Sequence, residues 1–179
     1  MLNVTQSFDV KAIDADTASV IKKAVQDVQP SADGTKAIGL NLESASGKIS
    51  DAITLLEGIH KSDVDYTTSG SGDLGLAAII LLAGAKPGER TVNKTATFNF
   101  RGVAKKAGKK GKTLNDTGKF ALEILTTFTG RKSNKIKSFM LSGAKVTASE
   151  MKALGLIDKT EGGFVDKYEQ FRKVTKKGK

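Results

Sequence analysis

No cysteine occurs among the 179 residues, so disulfides, thiolate metal sites and a cysteine nucleophile are excluded. Tryptophan is absent and proline appears twice, which suits a compact domain with short connections. Histidine occurs once, so imidazole chemistry would have to come from His60. A long apolar run is missing too. The most apolar stretch, Leu74–Ala85, falls short of the ~20 residues that span a bilayer, and it reads as a buried helix with no membrane partner. The opening MLNVTQSFDV lacks the basic-then-apolar layout of a signal peptide, which leads us to expect a cytoplasmic or virion location without signal-directed secretion. Acidic residues are few, 19 against 29 Lys and Arg, for a net charge of +10. That excess favours an acidic protein, a polyanionic surface or nucleic acid as partner; a lysine-rich solvated surface is the plainer alternative. What remains, 39 % apolar residues, is enough for one ordinary core, and residues 1–179 are read as a single domain.

Periodicity divides the chain into alternating strands and helices. Leu2–Val10 reads as an edge strand. Asp14 or Asp16 caps a helix over Thr17–Val28, with Val20, Ile21, Ala24, Val25 and Val28 as its apolar stripe. A strand at Lys36–Leu42, a small-residue loop at Glu43–Lys48 and a helix opening at Ser50 follow. Then come a strand at Val64–Thr68, a turn at Ser69–Asp73, the helix Leu74–Ala85 and an alternating strand Thr91–Phe100. Strands separated by helices of this length predict βαβ units and a mainly parallel sheet with flanking helices. Ligands on such sheets sit at the strand carboxyl ends, here the loops Glu43–Lys48 and Ser69–Asp73. Gly102–Thr113 has no apolar period and reads as a basic flexible loop (102–113). Asn115 or Asp116 caps a helix through Phe128, stopped by Gly130. A basic helix spans Lys132–Ser142. Thr147–Glu150 forms a capping box before a short helix ending at Gly155. Tyr168, Phe171 and Val174 suggest a last amphipathic helix, and 175–179 a frayed tail.

The side chains offer little conventional chemistry. Serine hydrolysis needs a nucleophile, a base and oxyanion donors. His60 falls at a helix end, on the side away from the strand carboxyl ends. A Ser–Lys pair is the remaining option, with Ser71 or Ser69 as nucleophile and Lys48 or Lys94 as candidate base. The Ser69–Asp73 turn could also cradle an anion, though Asp73 would compete for its amides as a helix cap. The phosphate-loop pattern is absent, and Lys109–Thr113 only superficially resembles it. With one histidine, no cysteine and no carboxylate cluster, neither a metal nor a cofactor is expected. The remaining feature is positive charge. Arg101, Lys105, Lys106, Lys109, Lys110 and Lys112 lie within twelve residues, with Arg131, Lys132, Lys135, Lys137 and Lys145 beyond. Such a cluster would hold polyanions with strong salt dependence, and no aromatics interleave to stack bases.

Four stretches carry a family resemblance. Leu42–Ile59 (LESASGKISDAITLLEGI) is similar to an I-N-S-P-G-G-x-V loop and the helix behind it. Asp73–Lys86 (DLGLAAIILLAGAK) looks like a nucleophile-bearing helix. Leu125–Ile136 (LTTFTGRKSNKI) resembles an L-A-x-x-T-G turn between helices, and Thr147–Asp158 (TASEMKALGLID) an S-A-x-E-A-x-x-x-G-L-I-D signature. In this order they resemble Clp-protease proteolytic subunits, in the ClpP/crotonase fold group. The resemblance implies an α/β fold of repeated β-α-β units and self-association into rings or trimers. It also places the family's serine at Gly75, its histidine at Arg101 and its oxyanion glycines at Ser46 and Gly47. The stretch matching the acid-bearing segment, Ser133–Phe139, holds no Asp or Glu. The expectation is a catalytically inactive ClpP-like component for assembly, of the kind phages carry. The alternatives are a peptidase with a relocated Ser/Lys pair and a non-specific polyanion binder.

Overall fold

A computed structural model describes residues 2–106, 111–130 and 133–162. Its centre is a five-stranded, wholly parallel sheet in the order β1-β2-β3-β5-β10, built from Gln6–Ile13, Ala37–Gly47, Asp65–Ser71, Arg90–Asn93 and Lys159–Glu161. Between β1 and β2 runs α1 (Ala15–Gln26), and between β2 and β3 runs α2 (Ile49–Lys61). Asp14 caps α1 by accepting the Thr17 N–H at 2.8 Å, the role open to Asp14 or Asp16 in the sequence. A short second sheet, β4-β6-β9 (Asp73–Leu74, Thr97–Phe98, Val146–Thr147), stands beside α3 (Leu76–Gly84). The hairpin β7/β8 (Ala104–Lys106, Lys112–Leu114), then α4 (Asp116–Thr129), α5 (Ser133–Ser142) and α6 (Ala148–Ala153) complete the chain.

The core lies on one face of the large sheet. Rows such as Leu40–Thr68–Arg90 and Val10–Leu42–Gly70–Val92 point inward and are buried. The alternate rows point outward, as period-two geometry requires. α3 is apolar on every side and buried throughout from Leu76 to Ala83, the mark of a helix enclosed by protein. The Tyr66 hydroxyl donates to the Leu81 carbonyl at 2.9 Å and ties β3 to α3; burial pushes that phenol well above its ordinary pKa.

Asp158 locks the last strand in place. It accepts from the Arg90 Nε at 2.8 Å and Nη2 at 2.6 Å, and from the backbone N–H groups of Gly88 and Arg90 at 2.7 and 3.1 Å. Burial disfavours its charge, but the Arg90 and Gly88 hydrogen bonds outweigh that and hold its pKa below the usual carboxylate value.

Several local expectations are corrected. Glu43–Gly47 continues β2, and Ser69–Ser71 continues β3; neither is a loop. Glu43, Ser69 and Ser71 line the open face of the sheet, where loop-like composition is tolerated, while Ser44 takes a φ of 47° and Ser46 lies on another cavity. α3 begins at Leu76 with Gly75 as N-cap, and Asp73 sits in β4 without capping it. Thr91–Phe100 is two strands. Asn93 accepts the Thr95 N–H at 2.9 Å, a side-chain-mediated turn that sends the chain from one sheet to the other. The basic segment 102–113 carries paired strands on either side of 107–110. Val20, counted in the α1 stripe, is 64 % exposed. The expected final helix and the tail lie outside the described residues, as do Lys109 and Lys110.

Candidate functional site

The strand and helix ends nearest Gly75 enclose a cleft of about 640 Å³. It is assembled by backbone register. β4 runs parallel to β6, pairing Asp73 with Thr97 and Leu74 with Phe98. The Asn99 N–H then donates to the Leu74 carbonyl at 3.0 Å, which carries the pairing on to the residues beside Gly75. On the other side the Gly75 N–H donates to the Ala45 carbonyl at 3.0 Å, fastening the end of β2 to the start of α3. Gly75, Ser46, Gly47 and Arg101 therefore line one cavity, joined by Lys48, Ser50 and Asn99 on the polar side. Ile53, Leu76, Val103 and Phe120 give it apolar walls, and Phe120 is 50 % exposed.

Gly47 is required by contact. A Cβ there would land on the Ile13 carbonyl, because the N–H of Lys48 donates to that oxygen and draws the strands together. Gly75 differs: a Cβ would meet the Ser46 Cβ at 3.2 Å, tight but soft, and its φ of −80° suits any residue. Serine could stand at this helix start, and the chain places glycine there.

The cleft's charge is one-sided. No Asp or Glu lines it, whereas Lys48 and Arg101 do, both exposed and neither in an ion pair among the described residues. Asp73, just outside, is spent on Lys145 at 3.1 Å, Thr97 at 3.0 Å and Asn99 at 3.3 Å. Burial opposes its ionisation, and these partners still hold its pKa low.

Ser69 and Ser71 lie elsewhere, on the outer face of the large sheet. Ser69 donates to Asn41 Oδ1 at 2.8 Å, and Asn41 donates to Asp9 Oδ1 at 2.9 Å. Among the described residues no lysine lines the depression that holds these two serines, and Lys48 lines the other cleft. His60 is exposed at the end of α2, beside Lys36 and Asp65 at the strand amino ends. Lys105, Lys106 and Lys112 are exposed on the hairpin. Among the described residues no group of three His, Cys, Asp or Glu could hold a metal, and no helix is long and apolar enough to cross a membrane.

Sequence reasoning missed Asn99, Thr117 and Phe120 as cleft residues. Asn99 was within reach: it stands two residues before Arg101 on an alternating run and so shares its face. Thr117 and Phe120 arrive through tertiary packing of α4.

The Clp protease family model matches residues 8–162. A crystal structure of the ClpP protease catalytic domain from Plasmodium falciparum superposes with a TM-score of 0.68 at 16 % identity, covering 89 % of this chain and 86 % of that one. That likeness is one of fold. No curated protein matches the sequence.

Proposed function

The chain belongs to the Clp protease family, and from that premise we propose that it is a catalytically silent member used as a self-associating assembly component. The observation that carries this reading is Gly75 at the start of α3, facing a cleft whose described lining contains no histidine and no carboxylate. Without a hydroxyl at that point, the step that opens serine hydrolysis has no nucleophile there, and without a histidine it lacks the family's proton acceptor. An assembly role of the virion kind rests on analogy with divergent relatives alone.

Self-association has its own support. Parallel sheets are normally covered on both faces, yet here the outer row Asp9–Asn41–Ser69–Thr91 is exposed or half-buried. Its depression carries Asp9, Glu43 and Glu161, while the hairpin at Lys105, Lys106 and Lys112 is basic. A neighbour's hairpin seated on that face would make a head-to-tail contact, the type that closes into a ring or trimer. Native mass spectrometry tests it: a discrete oligomer that loosens with rising salt supports the reading, and a monomer at every concentration overturns it.

Treatment with a serine-reactive fluorophosphonate, read by intact mass, tests silence. No adduct is expected. A stoichiometric adduct on Ser71 or Ser69 would establish the relocated-nucleophile alternative instead, and one on Ser46 or Ser50, which share the cleft with Lys48, would do the same for a different pair. The polyanion-binding alternative predicts a steep salt slope in filter binding; a shallow slope removes it.

A further inference from the structure

We propose that the cleft at Gly75 is a binding site for a carboxylate carried on an apolar body. The proposal rests on the catalytically silent reading, since it assigns the space a ligand in place of a reaction. Three observations converge. The cavity, about 640 Å³, is large enough for a small organic ligand. Its two charged lining residues, Lys48 and Arg101, are both cationic, and neither is engaged by an ion pair or side-chain hydrogen bond among the described residues. Its remaining walls include Ile53, Leu76, Val103 and the half-exposed Phe120, so apolar surface lies next to the cations.

The backbone adds to the same end of the cleft. Lys48 and Gly75 are the N-caps of α2 and α3, and neither helix has a side-chain cap on its first-turn N–H groups. These amides and the two helix dipoles favour negative charge where the cations already stand. Arg101 can present a planar fork to both oxygens of a carboxylate, with Lys48 as the second point of charge. The apolar walls then select the rest of the ligand. A free peptide C-terminus ending in an apolar residue and a medium-chain fatty acid share this chemistry. A fully hydrated ion such as inorganic phosphate gains nothing from those walls.

The experiment uses the full chain and isothermal titration with four probes: octanoate, octanamide, the peptide acetyl-Ala-Ala-Leu with a free carboxylate, and the same peptide as its C-terminal amide. One of the two acids is expected to bind, with its amide about tenfold weaker or worse, as the loss of a charge-assisted contact dictates. Which acid binds identifies the source. Arg101→Gln should weaken the acid by about tenfold and leave the amide unchanged. Because Arg101 is exposed, this variant should keep the parent's melting temperature, which separates loss of the site from loss of the fold. Equal binding of acid and amide, an unaffected Arg101→Gln variant, no binding of either acid at millimolar concentration, or tighter binding of inorganic phosphate would each overturn the proposal. Failure of catalytic silence would be seen separately, as a fluorophosphonate adduct on the ligand-free protein.

Discussion

Two arginines stand eleven residues apart in sequence and live in opposite circumstances. Arg90 is 8 % exposed at its side chain and fully engaged by Asp158. Arg101 is exposed on the rim of a cleft with no carboxylate in its lining among the described residues. The Leu156–Ile157–Asp158 signature that resembles the Clp proteases thus does structural work, pinning β10 beside β5. Arg101, at the position that resembles the catalytic histidine, makes no ion pair or side-chain hydrogen bond among the described residues. A scaffold and its chemistry are separable because they draw on different side chains. Loss of the first unfolds the chain, whereas loss of the second leaves an open site.

Asp158→Asn should expose this difference most strongly. It leaves the Arg90 guanidinium buried without a counter-charge, and a loss of about 3–5 kcal/mol is expected in urea unfolding. The companion variant Arg101→Gln should change stability by less than about 0.5 kcal/mol; a comparable loss would erase the distinction. The same contrast appears in acid. The folded pKa of Asp158 is depressed, so its contribution is fully present above the unfolded value near ~4 and is lost as pH falls through that value toward the folded one. Unfolding curves between neutral pH and pH 3 should show a falling stability in the parent and a flatter profile in Asp158→Asn.

Gly47→Ala comes next. Its Cβ collides with the Ile13 carbonyl, a backbone atom that cannot step aside cheaply, and about 1–3 kcal/mol should be lost. Thr68→Val should act in the opposite direction. The Thr68 hydroxyl is buried without a hydrogen-bond partner among the described residues, and its replacement by a methyl group should raise stability by about 1 kcal/mol. A destabilised variant would mean the hydroxyl has a partner in solution. The smallest effect is expected from Gly75→Ser. The helix start accepts serine with a few tenths of a kcal/mol of change, and fluorophosphonate labelling should remain absent because neither a histidine nor a carboxylate lines the cleft among the described residues. Labelling of that variant would show that only the nucleophile had been lost.

The layered α/β character and the order of elements were legible because apolar periodicity is local: Ile21 and Val25 of α1, and the unbroken apolar run of α3, declare themselves within a few residues. Capping was legible for the same reason, and Thr147–Glu150 forms its reciprocal box as read. Strand ends were not. Ser46, Ser69 and Ser71 have the composition of a loop, and only pairing with a neighbouring strand makes them extended, while Ser44 sits at the irregularity of β2 with a φ of 47°. The split of Thr91–Phe100 was hidden likewise, since a single Asn93 turn interrupts an otherwise even alternation.

The sequence alone decided which groups stand at two positions of the cleft: the glycine at 75 has no hydroxyl, and the arginine at 101 takes no proton at neutral pH. Folding decided what the cleft is. Parallel pairing of Leu74 with Phe98 and the Gly75–Ala45 hydrogen bond bring together segments from three parts of the chain. Packing of α4 then lays Phe120 beside Arg101 and Lys48 around a single cavity. Register and packing are long-range quantities, set by which surfaces must be buried together, and no local pattern encodes them.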